Sequence, residues 1–441
     1  MLLVFWHQED LRIEENLGLS KACAEGSQVV PIFILSDSMK LGEASRWWLH
    51  KSLEELQKDY AEKGVSLILR CGDPRKVFKE LNVEKVFWNQ TFSEEEKLVA
   101  QDLGEKGRPF NGNHLVDIPN FFNKSGKPFA VFTPFYNALL KEMECEKIEK
   151  LTLRKGKEIE SDTLESLELL PKKNWIKSLE AHWTPGRKGA LKRLDSFNSE
   201  SYEERRDFPA EKGTSLLSPH LHFGEVSPYE IWWKIENEAF QRQLAWREFG
   251  SSFVTHFPKT KTENWQEKFD RFPWKNNQDH LRKWQNGITG YPIIDAGMRQ
   301  LWKEGWMHNR VRMIVASFLV KDLFIHWKEG AAWFWDTLVD ADIGNNTLGW
   351  QWVAGSGPDA APFFRIFNPV LQGEKFDPQG DYVKTYCPEL KNLSSKWVHK
   401  PWMAPEEVLT EGGVKLGETY PYPIVDHKEM REKALAYFKE L

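Results

Sequence analysis

Three stretches of this chain combine residue types that could carry chemistry. The first, Trp306-Met-His-Asn-Arg-Val-Arg-Met313, opens an apolar run through Ile314, Val315, Phe318, Leu319, Val320 and Leu323. Helical spacing places Asn309, Arg312 and Met313 on one face with Arg310 at its edge. Guanidinium groups at the end of a buried helix need acceptors there, because an unpaired buried charge is very costly. A structural ion-pair cluster and a ligand site both meet that need. The second stretch is Asp340-Ala-Asp342, followed by Asn345-Asn346 and Trp350-Gln-Trp352. Acidic pairs two residues apart often bind divalent metals, but Trp, Asn and Ala neighbours add few oxygen ligands. The third, Gly213-Thr-Ser-Leu-Leu-Ser218-Pro219, sets hydroxyls and backbone N–H groups before a helix, an arrangement that caps the helix or cradles a phosphate. His220-Leu-His222 has no third or fourth ligand at a zinc interval.

These residues must be positioned by a fold of two domains, since 441 residues exceed what one core comfortably organises. Leu2–Trp6, Val29–Leu35, Ser66–Cys71 and Val83–Asn89 read as short buried strands. Between them, Trp47–Lys63, Pro74–Leu81 and Ser93–Leu103 read as amphipathic helices. That alternation predicts a doubly wound parallel α/β sheet over residues 1–130. It carries neither GxGxxG nor GxxxxGK[ST], so a plain dinucleotide or P-loop site is not expected there. The Lys/Glu-rich stretch from Lys141 to Lys173 reads as solvated linker with some helix, within an interdomain segment 131–190. Residues 191–441 form an all-α domain, with helical patterns at Gln241–Thr255, Pro292–Glu304, Trp306–Lys328 and Ala331–Asp340.

Sixty basic against 65 acidic side chains give a net charge of −5, which announces no nucleic-acid partner by bulk charge. The 21 tryptophans could serve as stacking platforms, electron relays or core. No apolar run of about 18 residues could cross a bilayer. The start, Met1 to Trp6, runs into His7, Gln8 and Glu9 without a basic n-region or cleavage site, which predicts a cytoplasmic protein. Cys23, Cys71, Cys145 and Cys387 have neither CxxC spacing nor a nearby metal-binding histidine, and read as reduced thiols.

Taken in order, the motifs resemble the photolyase/cryptochrome family, with class I cyclobutane pyrimidine dimer photolyases as the nearest group. They are Tyr202…Arg206-Asp207…Gly213-Thr-Ser-x-Leu-Ser-Pro219, Trp246-Arg-Glu-Phe249, Trp284-Gln-Asn-Gly-Ile-Thr-Gly-Tyr-Pro292, Asp295-Ala…Met298-Arg299, Gly305-Trp-Met-His-Asn-Arg310, Gly349-Trp-Gln-Trp352 and Phe364-Arg-Ile-Phe-Asn-Pro369. Asp10-Leu-Arg12 stands in a variant of the family's opening motif. The resemblance implies an α/β antenna domain and a helical FAD-binding domain. In its pattern Tyr202, Thr214, Ser215, Leu217, Ser218 and Arg247 hold the FAD phosphates and ribityl chain. Asp340, paired with Arg312, and Asp342 face the ring edges, and Asn346 sits opposite flavin N5. Trp246 and Trp352 clamp a flipped dimer, Asn309, Arg310 and Met313 contact it, and Arg206 and Gln372 lie near the DNA backbone. Trp350, Trp327 and Trp274 correspond to the electron chain from flavin to surface. The implied reaction is light-driven electron transfer from reduced FAD to the dimer, by a monomer acting on UV-damaged DNA.

Departures from the family pattern qualify this reading. Gln243 stands where class I dimer photolyases carry glutamate; glutamine is the choice of (6-4) photolyases and animal cryptochromes, though these carry a histidine-rich motif where this chain has Met307-His-Asn-Arg310. Leu216 replaces a common arginine, which predicts one phosphate contact fewer. Glu96 matches a glutamate that binds a methenyltetrahydrofolate antenna, but its usual Asn neighbour is Glu95, so deazaflavin or no antenna are the alternatives. The rival functions are a cryptochrome-type photosensor and a (6-4) photolyase.

Overall fold

The computed structural model describes all residues except 1, 27, 144–147, 149, 150, 172–174 and 361. Five parallel strands, β1 (Leu3–His7), β2 (Val29–Leu35), β3 (Ile68–Cys71), β4 (Lys85–Asn89) and β5 (Gly107–Phe110), form one sheet in the order β3-β2-β1-β4-β5. All five β1 residues are buried, as a strand covered by helices on both faces requires. The chain order reverses beside β1, which makes the sheet doubly wound, as predicted. Strand β5 escaped the sequence because Gly107 and Pro109 are poor strand residues; Pro109 is tolerated at this edge.

The described residues of segment 131–190 pack on both domains rather than forming a solvated tether. The Phe132–Glu142 helix packs on the Glu238–His256 helix of the second domain. Farther on, the Leu69 amide donates to Ser161 Oγ at 2.9 Å, Asp162 N to Leu69 O at 2.8 Å, and Cys71 N to Asp162 Oδ2 at 2.9 Å. These bonds cover the open edge of β3, which would otherwise offer unpaired backbone groups to another chain. Leu164, Leu167 and Leu169 bury themselves in the α/β core. The Trp183 indole then donates to Glu304 O at 2.6 Å. Cys145 lies outside the described residues; Cys23, Cys71 and Cys387 are unpaired.

Helices dominate the remainder. Glu238–His256 and Ile343–Ala354 cross where Gly250 meets Gly344, and a Cβ on Gly344 would lie 2.7 Å from the Gly250 carbonyl carbon. Only glycine permits that approach. The expected continuous helix over Trp306–Lys328 is instead three elements. His308 caps an α-helix, Asn309–Ser317, by accepting from Arg310 N at 3.2 Å; a π-helical turn, Phe318–Asp322, follows; His326 then caps Trp327–Thr337 by accepting from Lys328 N at 3.2 Å. Histidine is an unusual N-cap, so these starts carry no sequence signal. The same break moves the helix expected at Ala331–Asp340 forward to Trp327–Thr337.

The opening motif docks the two domains. Arg12, fully buried, donates from Nη1 to Gly224 O at 2.8 Å and from Nη2 to Gly112 O at 2.7 Å, while Leu11 N donates to Phe223 O at 3.0 Å. Glu225, buried behind it, accepts from the Trp48 indole at 2.9 Å and from Gly186 N at 2.7 Å. The α/β domain, the 131–190 segment and the helical domain thus meet at one carboxylate.

Candidate functional site

The Ile343–Ala354 helix packs against Glu238–His256, Asn309–Ser317 and Trp327–Thr337, yet one strip of it stays open. Gly344, Thr347, Leu348, Trp350 and Gln351 are buried. Asp342, Asn345, Asn346, Gly349 and Trp352 keep accessible surface, and a Cβ on Gly349 would meet nothing within 4 Å. These five share a face by helical spacing. A polar strip left uncovered on a helix that others flank marks a recess between them, the candidate cofactor cavity.

The cavity wall is held by a buried ion pair. Arg312 donates from Nη2 to both oxygens of Asp340, at 3.0 and 2.8 Å, and its Nε donates to Met307 O at 2.8 Å. Ser218 Oγ donates to Asp340 Oδ2 at 2.6 Å and accepts from the Trp306 indole at 3.3 Å. The ordinary-looking N-cap region at Gly213–Pro219 is thereby tied to the acidic pair. Asp342 caps its helix by accepting from Asn345 N at 2.7 Å, and Asn346 donates from Nδ2 to Ala331 O at 3.1 Å, which leaves its amide oxygen as the uncommitted group. Arg247 donates from Nη1 to Glu248 Oε1 at 2.6 Å and Asn113 O at 3.1 Å. Glu9, just past β1, is exposed.

Trp246 lies one helical turn before the Gly250 crossing. Its ring stacks on Phe132 with centroids 3.8 Å apart and planes 3° from parallel, and Phe249 meets it edge-on at 5.7 Å. Partly buried, it has one face fixed by Phe132. Asn309 is exposed and its Nδ2 approaches Met313 Sδ at 3.9 Å. Arg310 pairs with Asp207 Oδ2 at 2.6 Å and lies 4.3 Å over the Phe376 ring. Burial pushes the neighbouring His308 down to about 4, so it stays neutral.

A third group runs from the cavity to the surface. Trp350 is 2 % exposed and packs so closely on Gly330 that any Cβ there would sit 2.1 Å from the indole. Trp327 is 1 % exposed and donates to Asn264 Oδ1 at 2.8 Å. Trp274 is partly exposed. The His326 ring lies between the last two, its centroid 5.5 Å from Trp327 and 4.8 Å from Trp274.

Comparison with known proteins agrees with this arrangement. The family model described as the FAD binding domain of DNA photolyase matches residues 240–440, and the DNA photolyase model matches 3–153. A deoxyribodipyrimidine photo-lyase of Agrobacterium fabrum is 45% identical, covering 99% of this chain and 97% of that protein. The chain belongs to the photolyase/cryptochrome family. Cryptochrome-2 of Arabidopsis thaliana is 36% identical over 99% of this chain and 79% of its own length. The crystal structure of a class III photolyase from Agrobacterium tumefaciens superposes with a TM-score of 0.95 at 43% identity, covering 100% of this chain and 97% of that one. The motifs had pointed to class I; this likeness is to a class III member.

A photolyase/cryptochrome cavity must take a flavin dinucleotide, and these residues suit one: an open polar helix strip, hydroxyls beside a helix start, and a carboxylate already neutralised by Arg312. Several expected residues play other parts. Leu217 is 1 % exposed with its side chain in the core, so only its backbone is available to a cofactor. Tyr202 is also core, its ring under the Arg206 guanidinium at 5.2 Å. Leu216 adopts φ 55, a left-handed conformation costing a non-glycine residue roughly 1–2 kcal/mol. Gln243 turns to its own helix, donating from Nε2 to Ala239 O at 3.1 Å. Glu96 is 4 % exposed, and its oxygens accept from the Trp88 indole and from Thr91 N and Phe92 N, at 2.8, 2.7 and 2.7 Å. Those bonds close the turn that precedes its helix. Phe132, in what read as linker, backs the Trp246 ring, a contact the sequence concealed. Among the described residues, no helix is long and apolar enough to cross a membrane.

Proposed function

We propose that this chain repairs cyclobutane pyrimidine dimers in DNA by a blue-light-driven reaction, as a class III rather than a class I photolyase, in the cytoplasm. The observation that carries the reading is the adjacency of two sites: a polar cavity suited to FAD, and the Trp246 and Asn309/Met313 groups on the helices that wall it. FAD, when bound reduced, would supply an electron on excitation and take it back once the cyclobutane ring has opened.

The protein's own part is positional. Trp246, backed by Phe132, and Trp352 offer rings against which a flipped, poorly stacked dimer can lie; flipping costs a few kcal/mol, less for a damaged base. Asn309 and Met313 add a polar and a polarisable contact. Arg312 and Ser218 hold Asp340 toward the cofactor ring, and Asn346 presents its amide oxygen there. Trp350, Trp327 and Trp274 form a graded route from interior to surface for recharging the cofactor.

The test uses dark-purified, chemically reduced protein under blue light with two oligonucleotides, one bearing a thymine cyclobutane dimer and one a (6-4) photoproduct. Restoration of the first alone is expected. Restoration of the second alone would overturn the lesion assignment, and repair of neither by a flavin-loaded protein would move the chain to the photosensor class. A companion variant addresses Gln243. An amide in this place brings no ionisable proton to a thymine edge, so Gln243→Glu is expected to raise the yield of dimer repair per absorbed photon; an unchanged or lower yield would absolve the glutamine.

A further inference from the structure

The loop joining the Ile343–Ala354 and Pro369–Phe376 helices, residues 355–368, borders the candidate lesion site at both ends. It leaves the helix of Trp352 and arrives at the helix of Gln372. Midway, Asp359 Oδ2 accepts from Phe132 N at 3.0 Å, beside the ring that backs Trp246. Its outer surface is apolar and basic: Phe364 is 62 % exposed and Arg365 is exposed next to it. A cleft of about 450 Å³, open to solvent, lies between Pro358, Ala360 and Pro362 and the rings of Phe269, Phe363 and Phe438. A loop flanking an open cleft is held in shape by its anchors.

The tip has one strong anchor. Lys321, 1 % exposed, donates from Nζ to the Arg365 carbonyl at 3.0 Å and lies 5.1 Å over the Phe363 ring. A second, weaker bond runs from Phe367 N to Ser317 Oγ at 3.4 Å. Lys321 reaches the loop because the π-helical turn Phe318–Asp322 buries five consecutive side chains. A regular helix would return one of them to its outer face. The next residue, Asp322, pairs with His427, the first residue of the terminal helix His427–Lys439, at 2.5 Å. Burial lowers the Lys321 ammonium to about 7, but the amine donates to Arg365 O in either charge state.

We propose that Lys321 is a positioning residue for lesion-DNA binding, holding the tip of the 355–368 loop in place from the π-helical turn. Asp322 and His427 brace that turn from behind. Phe364 and Arg365 are thereby set rigidly at the rim, where an apolar side chain can occupy the gap left by a flipped dimer and a guanidinium can meet a phosphate. The inference rests on the reading of this face as the DNA side.

The experiment is a double-mutant cycle in flavin-loaded protein, with affinity for a dimer-bearing duplex as the readout. One arm is Lys321→Met, the other Phe364→Ala with Arg365→Ala. Lys321→Met alone is expected to weaken binding about tenfold while flavin absorbance and the rate of flavin photoreduction stay at wild-type values. In the loop-stripped background the same change is expected to cost less than about twofold, since the groups it positions are gone. Equal losses in both backgrounds, or wild-type affinity in Lys321→Met, would overturn the proposal. If the methionine variant fails to fold, Lys321→Gln replaces it: polar enough for the site, but one bond too short for the Arg365 carbonyl, and subject to the same two outcomes. A wild-type protein with no preference for the damaged duplex defeats the DNA reading itself, and this role of the loop with it, before any variant is compared.

Discussion

Arg312→Met is expected to give a protein that purifies without flavin and is about 3–5 kcal/mol less stable, the cost of removing one partner from a buried ion pair. The pair is well enclosed: the Asp340 side chain is 3 % exposed and that of Arg312 24 %. Without the guanidinium, Asp340 keeps only the Ser218 hydroxyl, one neutral donor for a charge that had a two-oxygen contact. Neutralising the stranded carboxylate as well, in Arg312→Met with Asp340→Asn, is expected to recover most of the stability but not the flavin. That split separates the fold's need for charge balance from the cofactor's need for these groups. Denaturant unfolding and the ratio of flavin to protein absorbance measure the two effects. A single variant within about 1 kcal/mol of wild type and still yellow would mean that the pair is an ordinary solvated contact.

Trp246→Ala is expected to lower affinity for a dimer-bearing duplex by about 5- to 150-fold, the loss of about 1–3 kcal/mol for one base–aromatic stack. Affinity for undamaged duplex should hardly change, because phosphate contacts supply most of it. Flavin content should be retained, since Trp246 is packed against Phe132 and Phe249 rather than among the groups around Asp340. Titration of both duplexes at one salt concentration decides the matter. A parallel loss on damaged and undamaged DNA would mean that the indole props up the surface and does not receive the lesion.

Much of this was legible in the residues. The apolar runs at Leu3–His7 and Val29–Leu35 could only be buried strands, and the helical spacing between them required a parallel sheet. The helix Pro292–Glu304 runs between the predicted ends, with proline at its start and Gly305 in a left-handed conformation at its close. Other features were not legible because their causes lie far away in the chain. The helix break after Ser317 is set by burial of Lys321 and Asp322 against residues 44 and 105 positions distant. Gln243 departs from a motif and Glu96 matches one, yet the first turns toward its own helix and the second bonds across a turn. A motif fixes residue type; the side chain's nearest hydrogen-bonding partner decides where it points.

By itself, the sequence determined the two-domain division, the parallel sheet and the family, because hydrophobic periodicity and widely spaced motifs are local properties that need no partner to be read. Tertiary structure alone decided that Ser218 ties the Gly213–Pro219 segment to Asp340, since it reaches that carboxylate from 122 residues away. It also decided that a supposed linker supplies Phe132 behind Trp246. Stacking, ion pairing and burial depend on what the folded chain brings together, and spacing along the chain carries no record of it.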